Sequence, residues 1–201
     1  RPHRRASLGT LKATIARLIL KLVRWTPVGT KPTEGSVIVC APHTSNLDYL
    51  LMILTAATQH MTLSWLGKEA LFRPPLGWLM RATGGIAVDR SAAHGLVGQL
   101  SEEFGRNPNL MLAIPAEGTR GHTEHWKSGF YRIAQQAGVP INLAFVDSSR
   151  REAGFGPSFI PSGDIGADMD IVREFYADKV GLKPANFGPI RLREESPDEL
   201  A

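Results

Sequence analysis

The chain has 201 residues, 43% of them hydrophobic and 21% charged, which suits one domain with a sizeable core and excludes bulk disorder. A single cysteine, Cys40, excludes an internal disulfide and a cysteine-based metal cluster, and fits a reducing setting. The net charge of +4 is polarised, with eight basic and no acidic side chains over residues 1–31 and 15 basic against 19 acidic ones beyond, a pattern that attracts nucleic acid or anionic lipid.

From Leu8 to Trp25, the apolar residues Leu8, Leu11, Ile15, Leu18, Leu22 and Trp25 recur at steps of three and four. Thr10, Thr14, Arg17, Lys21 and Arg24 recur the same way, and at about 100° per residue these are two faces of one helix. Arg17, Lys21 and Arg24 interrupt the apolar run well short of the ~20 residues that span a bilayer. The same charges argue against a secretory signal. Basic side chains on one side, with leucines and a tryptophan on the other, suit a helix lying in the membrane interface. The competing reading is a helix docked on the body through its leucine face. Arg1 in place of a methionine points to a natural chain that starts earlier.

Ser36–Ala41 reads as a buried strand closed by Pro42, and Asn46–Gln59 as a helix. Thr62–Leu66 reads as a strand. Lys68–Met80 is broken by Pro74 and Pro75 and is unusually apolar for a connector. Its Leu71, Phe72, Leu76, Trp78, Leu79 and Met80, flanked by Arg73 and Arg81, suit core and a second membrane contact equally. A strand over Gly85–Asp89, a helix over Ala93–Phe104 and a strand over Leu110–Ile114 follow, then a polar loop over Gly118–His125. Ser128–Ala137 is helical up to Gly138, with Pro140 beyond, and Ile141–Val146 is a strand. Gly154–Gly166, rich in glycine and proline, suits short strands and turns; Asp168–Val180 is a last helix, and the tail after Gly181 is irregular. This alternation predicts an α/β fold, a mixed and largely parallel sheet covered by helices. Residues 1–31 form its basic amphipathic membrane-binding arm and residues 32–201 its body.

In such folds reactive groups gather in loops at strand ends, where three polar clusters fall. The first is His43-Thr44-Ser45-Asn46-Leu47-Asp48. On one continuous helix His43 and Asp48 would point roughly 140° apart. They meet if His43 sits in the loop and Asp48 in the helix's first turn, with Ser45 as N-cap. Asp48 then orients the imidazole, whose other nitrogen is a general base. Ser45-x-x-Asp48 is equally a capping box, and the two carboxylate oxygens allow both roles. The second cluster is Glu117-Gly118-Thr119-Arg120. Its glycine admits an anion to backbone N–H groups and its arginine can bind phosphate bidentately, unless the four form a solvated turn. The third, Asp89-Arg90-Ser91, offers another arginine at a strand end, or a surface ion pair. Cys40, inside an apolar strand, reads as packing rather than as a nucleophile. His122 and His125 lack the helical spacing of zinc enzymes, and Trp126, Phe130 and Tyr131 read as core or pocket wall rather than as nucleic-acid platforms.

Together, and in this order, the clusters resemble the lysophosphatidic acid acyltransferase family, which shows H-x-x-x-x-D, then G-I-x-x-x-D-R, then F-P-E-G-T-R, then V-P-I. Here these are His43…Asp48, Gly85-Ile86-Ala87-Val88-Asp89-Arg90, Ile114-Pro115-Ala116-Glu117-Gly118-Thr119-Arg120 and Val139-Pro140-Ile141, within residues 36–146. In the family the proline directly precedes the glutamate, whereas here Ala116 intervenes, which bears on the acceptor more than on the reaction. The resemblance implies an O-acyltransferase that moves a fatty acyl group from acyl-CoA or acyl carrier protein to lysophosphatidate, giving phosphatidate. It implies His43 as the base, steadied by Asp48. Arg90 and Arg120 would hold the acceptor's phosphate in a loop of Glu117, Gly118 and Thr119, with the Gly118 N–H and Lys68 as oxyanion donors. It implies no metal and no cofactor, because a thioester is already activated. The implied partners are that donor, a lysophospholipid acceptor and an anionic membrane surface at the cytoplasmic face of the cell membrane, with no nucleic acid. Another lyso-lipid or a glycolipid as acceptor, a thioesterase using the same dyad, and a non-catalytic lipid binder are the alternatives.

Overall fold

The structure is a computed structural model that describes residues 2–88 and 95–195, with residues 2–8 described through their backbone. In chain order the elements are α1 (Pro2–Leu22), β1 (Thr26–Val28), β2 (Ser36–Ala41), α2 (Asn46–Thr58), β3 (Trp65–Lys68), α3 (Gly77–Ala82) and β4 (Gly85–Val88). Then come α4 (Gly95–Arg106), β5 (Met111–Ile114), α5 (Gly129–Ala137), β6 (Ile141–Asp147), β7 (Glu152–Phe159) and α6 (Ile165–Tyr176).

Five strands form one sheet in the order β1-β7-β6-β2-β5, all neighbours parallel except β6 and β7. The β3–β4 pair is also parallel and joins the β5 edge at Ser64, which donates to Met111 O at 2.8 Å and accepts from Ala113 N at 2.8 Å. All seven residues of β6 are buried, as a strand covered on both faces requires. The alternation along β2 divides the core. Val37, Val39 and Ala41 face a cluster with Leu100 of α4, Phe130 of α5 and Tyr176 of α6, while Ile38 faces Leu20 of α1, Leu51 and Met52 of α2, and Phe155. The result is the expected α/β sandwich of a mostly parallel sheet between two helical layers.

Local chemistry explains most boundaries. Ser45 caps α2 in a full capping box with Asp48, and Gly138 ends α5 in the left-handed conformation at φ 66°. β1 and α3 were not marked in the sequence, and three further elements depart from its reading. β3 lies nearer Lys68 than expected, because its partner β4 pairs Trp65 with Gly85 and Lys68 with Val88. β7 is one eight-residue strand. Its Pro157 is tolerated because β1 pairs only with residues 152–154, leaving the rest of that side unpaired. The last helix starts earlier, at Ile165, where Asp164 Oδ1 accepts from Ala167 N at 3.1 Å. The expected start of α4 at Ala93 lies outside the described residues.

The helix α1 docks on α2 through Ala13, Ala16 and Leu20, and Arg17 Nη2 donates to Thr58 O at 2.7 Å. Small residues let the two helices approach closely. The expected apolar stripe points elsewhere: Leu11, Ile15, Leu18 and Leu22 are exposed, with Leu22 at 82%. No helix among the described residues is long and apolar enough to cross a membrane.

Candidate active site

The loop between β2 and α2 places His43 at the carboxyl end of a central strand, where α/β folds collect their chemistry. Its backbone N–H donates to Glu117 Oε1 at 2.6 Å. Asp48 Oδ2 accepts from Thr44 N at 2.6 Å and Ser45 N at 2.7 Å, completing the capping box. Asp48 Oδ1 is buried and has no hydrogen-bond partner among the described residues, His43 included. The carboxylate thus already holds the loop with one oxygen and keeps the other in reserve.

Both residues line a cavity of about 760 Å3, together with Asn46, Gly118, Arg120 and Lys127. Its apolar wall includes Met52, Trp65, Leu66, Ile114, Phe130 and Phe145. A polar rim over an apolar interior suits an amphipathic ligand. Burial, and then the positive charge of Arg120, lower the His43 pKa from its ordinary value, so the imidazole is neutral at neutral pH and can take a proton. Burial raises the Asp48 pKa, against hydrogen bonds from Ser45 and Thr44 and the charge of Arg120.

The other expected site residues separate. Gly118 and Arg120 stand in the cavity wall, but the Gly118 N–H donates to Pro115 O at 3.0 Å and closes a turn, so it offers no free oxyanion donor. Gly118 has φ +69°, where any other residue is strained, and a Cβ there would come within 2.9 Å of Lys127 Cγ and push that side chain aside. Thr119 is exposed and its Oγ1 accepts from Gly121 N at 3.2 Å. Lys68 is exposed, carried by β3 past the wall that Trp65 and Leu66 form, and is not among the residues lining the cavity. Arg90, with Asp89 and Ser91, lies outside the described residues. Lys127 was not singled out from the sequence. It stands seven positions after Arg120, just ahead of α5, and the one available signal was a cation beside a motif.

Glu117 is fully buried, and its Oε1 accepts from the His43 N–H, so within its loop it ties the two site loops together. Burial, with the nearby charge of Asp48, raises its pKa from 4.5 to about 7 against the His43 hydrogen bond. The fold therefore favours protonated Glu117. That stability is fully present below pH 4.5 and is lost as pH rises through about 7. Glu117→Gln keeps the acceptor for His43 N–H and is expected to abolish this loss, worth about 3 kcal/mol. Denaturant titrations at about pH 5 and about pH 8 read it; an equal fall in both proteins would refute it.

A histidine at a strand end, beside an apolar cavity with a cationic rim, has the chemistry an acyl-transferring enzyme uses. A family model described as Acyltransferase matches residues 24–142, more than half of the chain, and the chain belongs to that family. Its fold is similar to the crystal structure of the 1-acyl-sn-glycerophosphate (LPA) acyltransferase PlsC from Thermotoga maritima, at 15% identity and a TM-score of 0.55, covering 89% of this chain and 78% of that one. No curated protein matches it in sequence.

Proposed function

We propose that the protein transfers a fatty acyl group from acyl-CoA or acyl carrier protein to the free hydroxyl of lysophosphatidate, giving phosphatidate. The observation that carries this reading is one cavity combining His43, the cations Arg120 and Lys127, and an apolar interior. The acyl chain lies along that interior and the acceptor's phosphate meets the two cations, with Arg90 as a further contact. Neutral His43 takes the hydroxyl proton as the oxygen attacks the thioester carbon. The tetrahedral intermediate collapses, the C–S bond breaks, and the imidazolium returns its proton to the leaving thiolate. The unpartnered Asp48 Oδ1 is the atom that steadies the imidazolium. The similar PlsC acts, by its title, on 1-acyl-sn-glycerophosphate, which supports the choice of acceptor.

The enzyme works as a peripheral protein on an anionic membrane at the cytoplasmic face. The exposed stripe of α1 supports this, as do Leu76 and Trp78 at the start of α3, the tryptophan at 71% exposure. The test is release of coenzyme A from long-chain acyl-CoA with and without lysophosphatidate in mixed micelles. Acceptor-dependent release is expected; release without acceptor would make the protein a thioesterase. Arg120→Gln is expected to raise the KM for lysophosphatidate. It should also move the acid limb of the pH–rate profile upward, because the His43 pKa returns toward its ordinary value when that positive charge goes. An unmoved limb would separate Arg120 from the base.

A further inference from the structure

The turn that joins α1 to β1 forms a second pocket, remote in sequence from the catalytic motifs. It has a volume of about 360 Å3 and is lined by Arg17, Lys21, Arg24, Trp25 and Thr26 among others. None of its three cations has an acidic partner within ion-pair distance among the described residues. Arg17 is anchored through one Nη to Thr58 O, which fixes its guanidinium while leaving its other N–H groups to a ligand.

Two features separate this pocket from ordinary solvated charge. The first is the backbone of Arg24. The helix ends with Trp25 N donating to Leu20 O at 2.8 Å and Arg24 N to Lys21 O at 3.1 Å, a Schellman motif whose left-handed position is Arg24 at φ 58°. Glycine is the unstrained residue there, yet this chain holds an arginine in that conformation and aims it into the same pocket as Arg17 and Lys21. The motif also occupies the Leu20 and Lys21 carbonyls, which removes negative poles that would repel an anion. The second is orientation. At about 100° per residue, Leu18 and Leu22 lie about 100° round the helix from Arg17 and Lys21 respectively. The cations therefore stand between the face docked through Ala13, Ala16 and Leu20 and the exposed leucine stripe. If the stripe enters the acyl region of a bilayer, the cations come to the depth of its phosphates.

We propose that this pocket is a phosphate subsite for the headgroup of an anionic phospholipid, seating one lipid beside the enzyme. The assignment rests on the membrane reading above. The exposed leucines, continuous with the basic rim, favour a lipid over free phosphate.

Arg24→Gly is the sharpest variant, since glycine accepts the local backbone. Its thermal midpoint is expected to equal or exceed that of wild type. Its affinity for phosphatidylcholine vesicles doped with phosphatidate is expected to fall about tenfold, more than one diffuse surface charge contributes. Lys12→Gln removes an exposed charge about 140° round the same helix and is expected to change that affinity by less than about threefold. Pure phosphatidylcholine vesicles should bind all three proteins equally. Equal losses in the two variants, or none in Arg24→Gly, would overturn the subsite while leaving the membrane reading intact. Absence of wild-type binding to either vesicle would overturn both. An Arg24-dependent thermal shift with inorganic phosphate alone would overturn the lipid assignment in favour of free phosphate.

Discussion

Replacing His43 by alanine is expected to lower acceptor-dependent acyl transfer by about 10²–10⁴-fold, the usual contribution of a positioned general base. The fold should survive the change. His43 is tied to its surroundings through its backbone N–H, which donates to Glu117 Oε1, and that bond does not need the imidazole. The ring is half-buried in a cavity rather than packed in the core, so its removal enlarges existing space instead of opening a new void. The expected result is a large loss in kcat with little change in the KM for lysophosphatidate or in the unfolding midpoint. Acceptor-dependent release of coenzyme A and a thermal melt read both. Activity within a few-fold of wild type would remove His43 from the base's role. Loss of activity together with collapse of the melt would point to structure instead.

The centre of the molecule was legible because its signals are local. β2 is an unbroken apolar run stopped by Pro42, and α2 begins at a serine with an acid three residues on. The order of motifs along the chain pointed to an acyltransferase, and the family match and the fold bear that out. What escaped was set by partners distant in sequence. β1 has three residues and exists because Thr26–Val28 lie beside Glu152–Gly154. The glycines and Pro157 of β7 looked like turns, yet Gly154 sits where a Cβ would meet Val28 O at 2.2 Å, so a neighbouring strand requires that glycine.

The site followed the same rule. Type and spacing brought out His43, Asp48 and Arg120, all of which line one cavity. They could not disclose that the Gly118 N–H is already used within its turn, or that Glu117 faces inward to the His43 loop. A hydrogen bond across 74 residues leaves no periodic trace in sequence. On α1 the periodicity correctly separated leucines from cations, but the docking face it suggested was the leucine stripe, which the structure leaves exposed. The alanines decided that, because small side chains allow close helix contact where leucines would hold α2 away.

Asp48 caps α2 and, in the proposed mechanism, also steadies His43, and one substitution should divide the two roles. As the second residue of the capping box, it accepts from Thr44 N and Ser45 N through Oδ2 alone. Asparagine can keep that acceptor with its amide oxygen, so Asp48→Asn is expected to unfold within about 1 kcal/mol of wild type. Its amide nitrogen then takes the place of Oδ1, the oxygen with no hydrogen-bond partner among the described residues. There it presents donors where a carboxylate would accept, which turns the imidazole to the wrong tautomer and leaves the imidazolium without a counter-charge. A fall in kcat of about 10²-fold or more should follow. Asp48→Ala loses the cap as well, so it should match that rate loss and add about 1–2 kcal/mol of destabilisation. Denaturant midpoints and kcat measured on both variants decide the matter. Near-native kcat in Asp48→Asn would reduce Asp48 to a helix cap and leave His43 to act alone; an inactive but fully stable Asp48→Asn would show that the charge itself, rather than the loop it supports, serves the base.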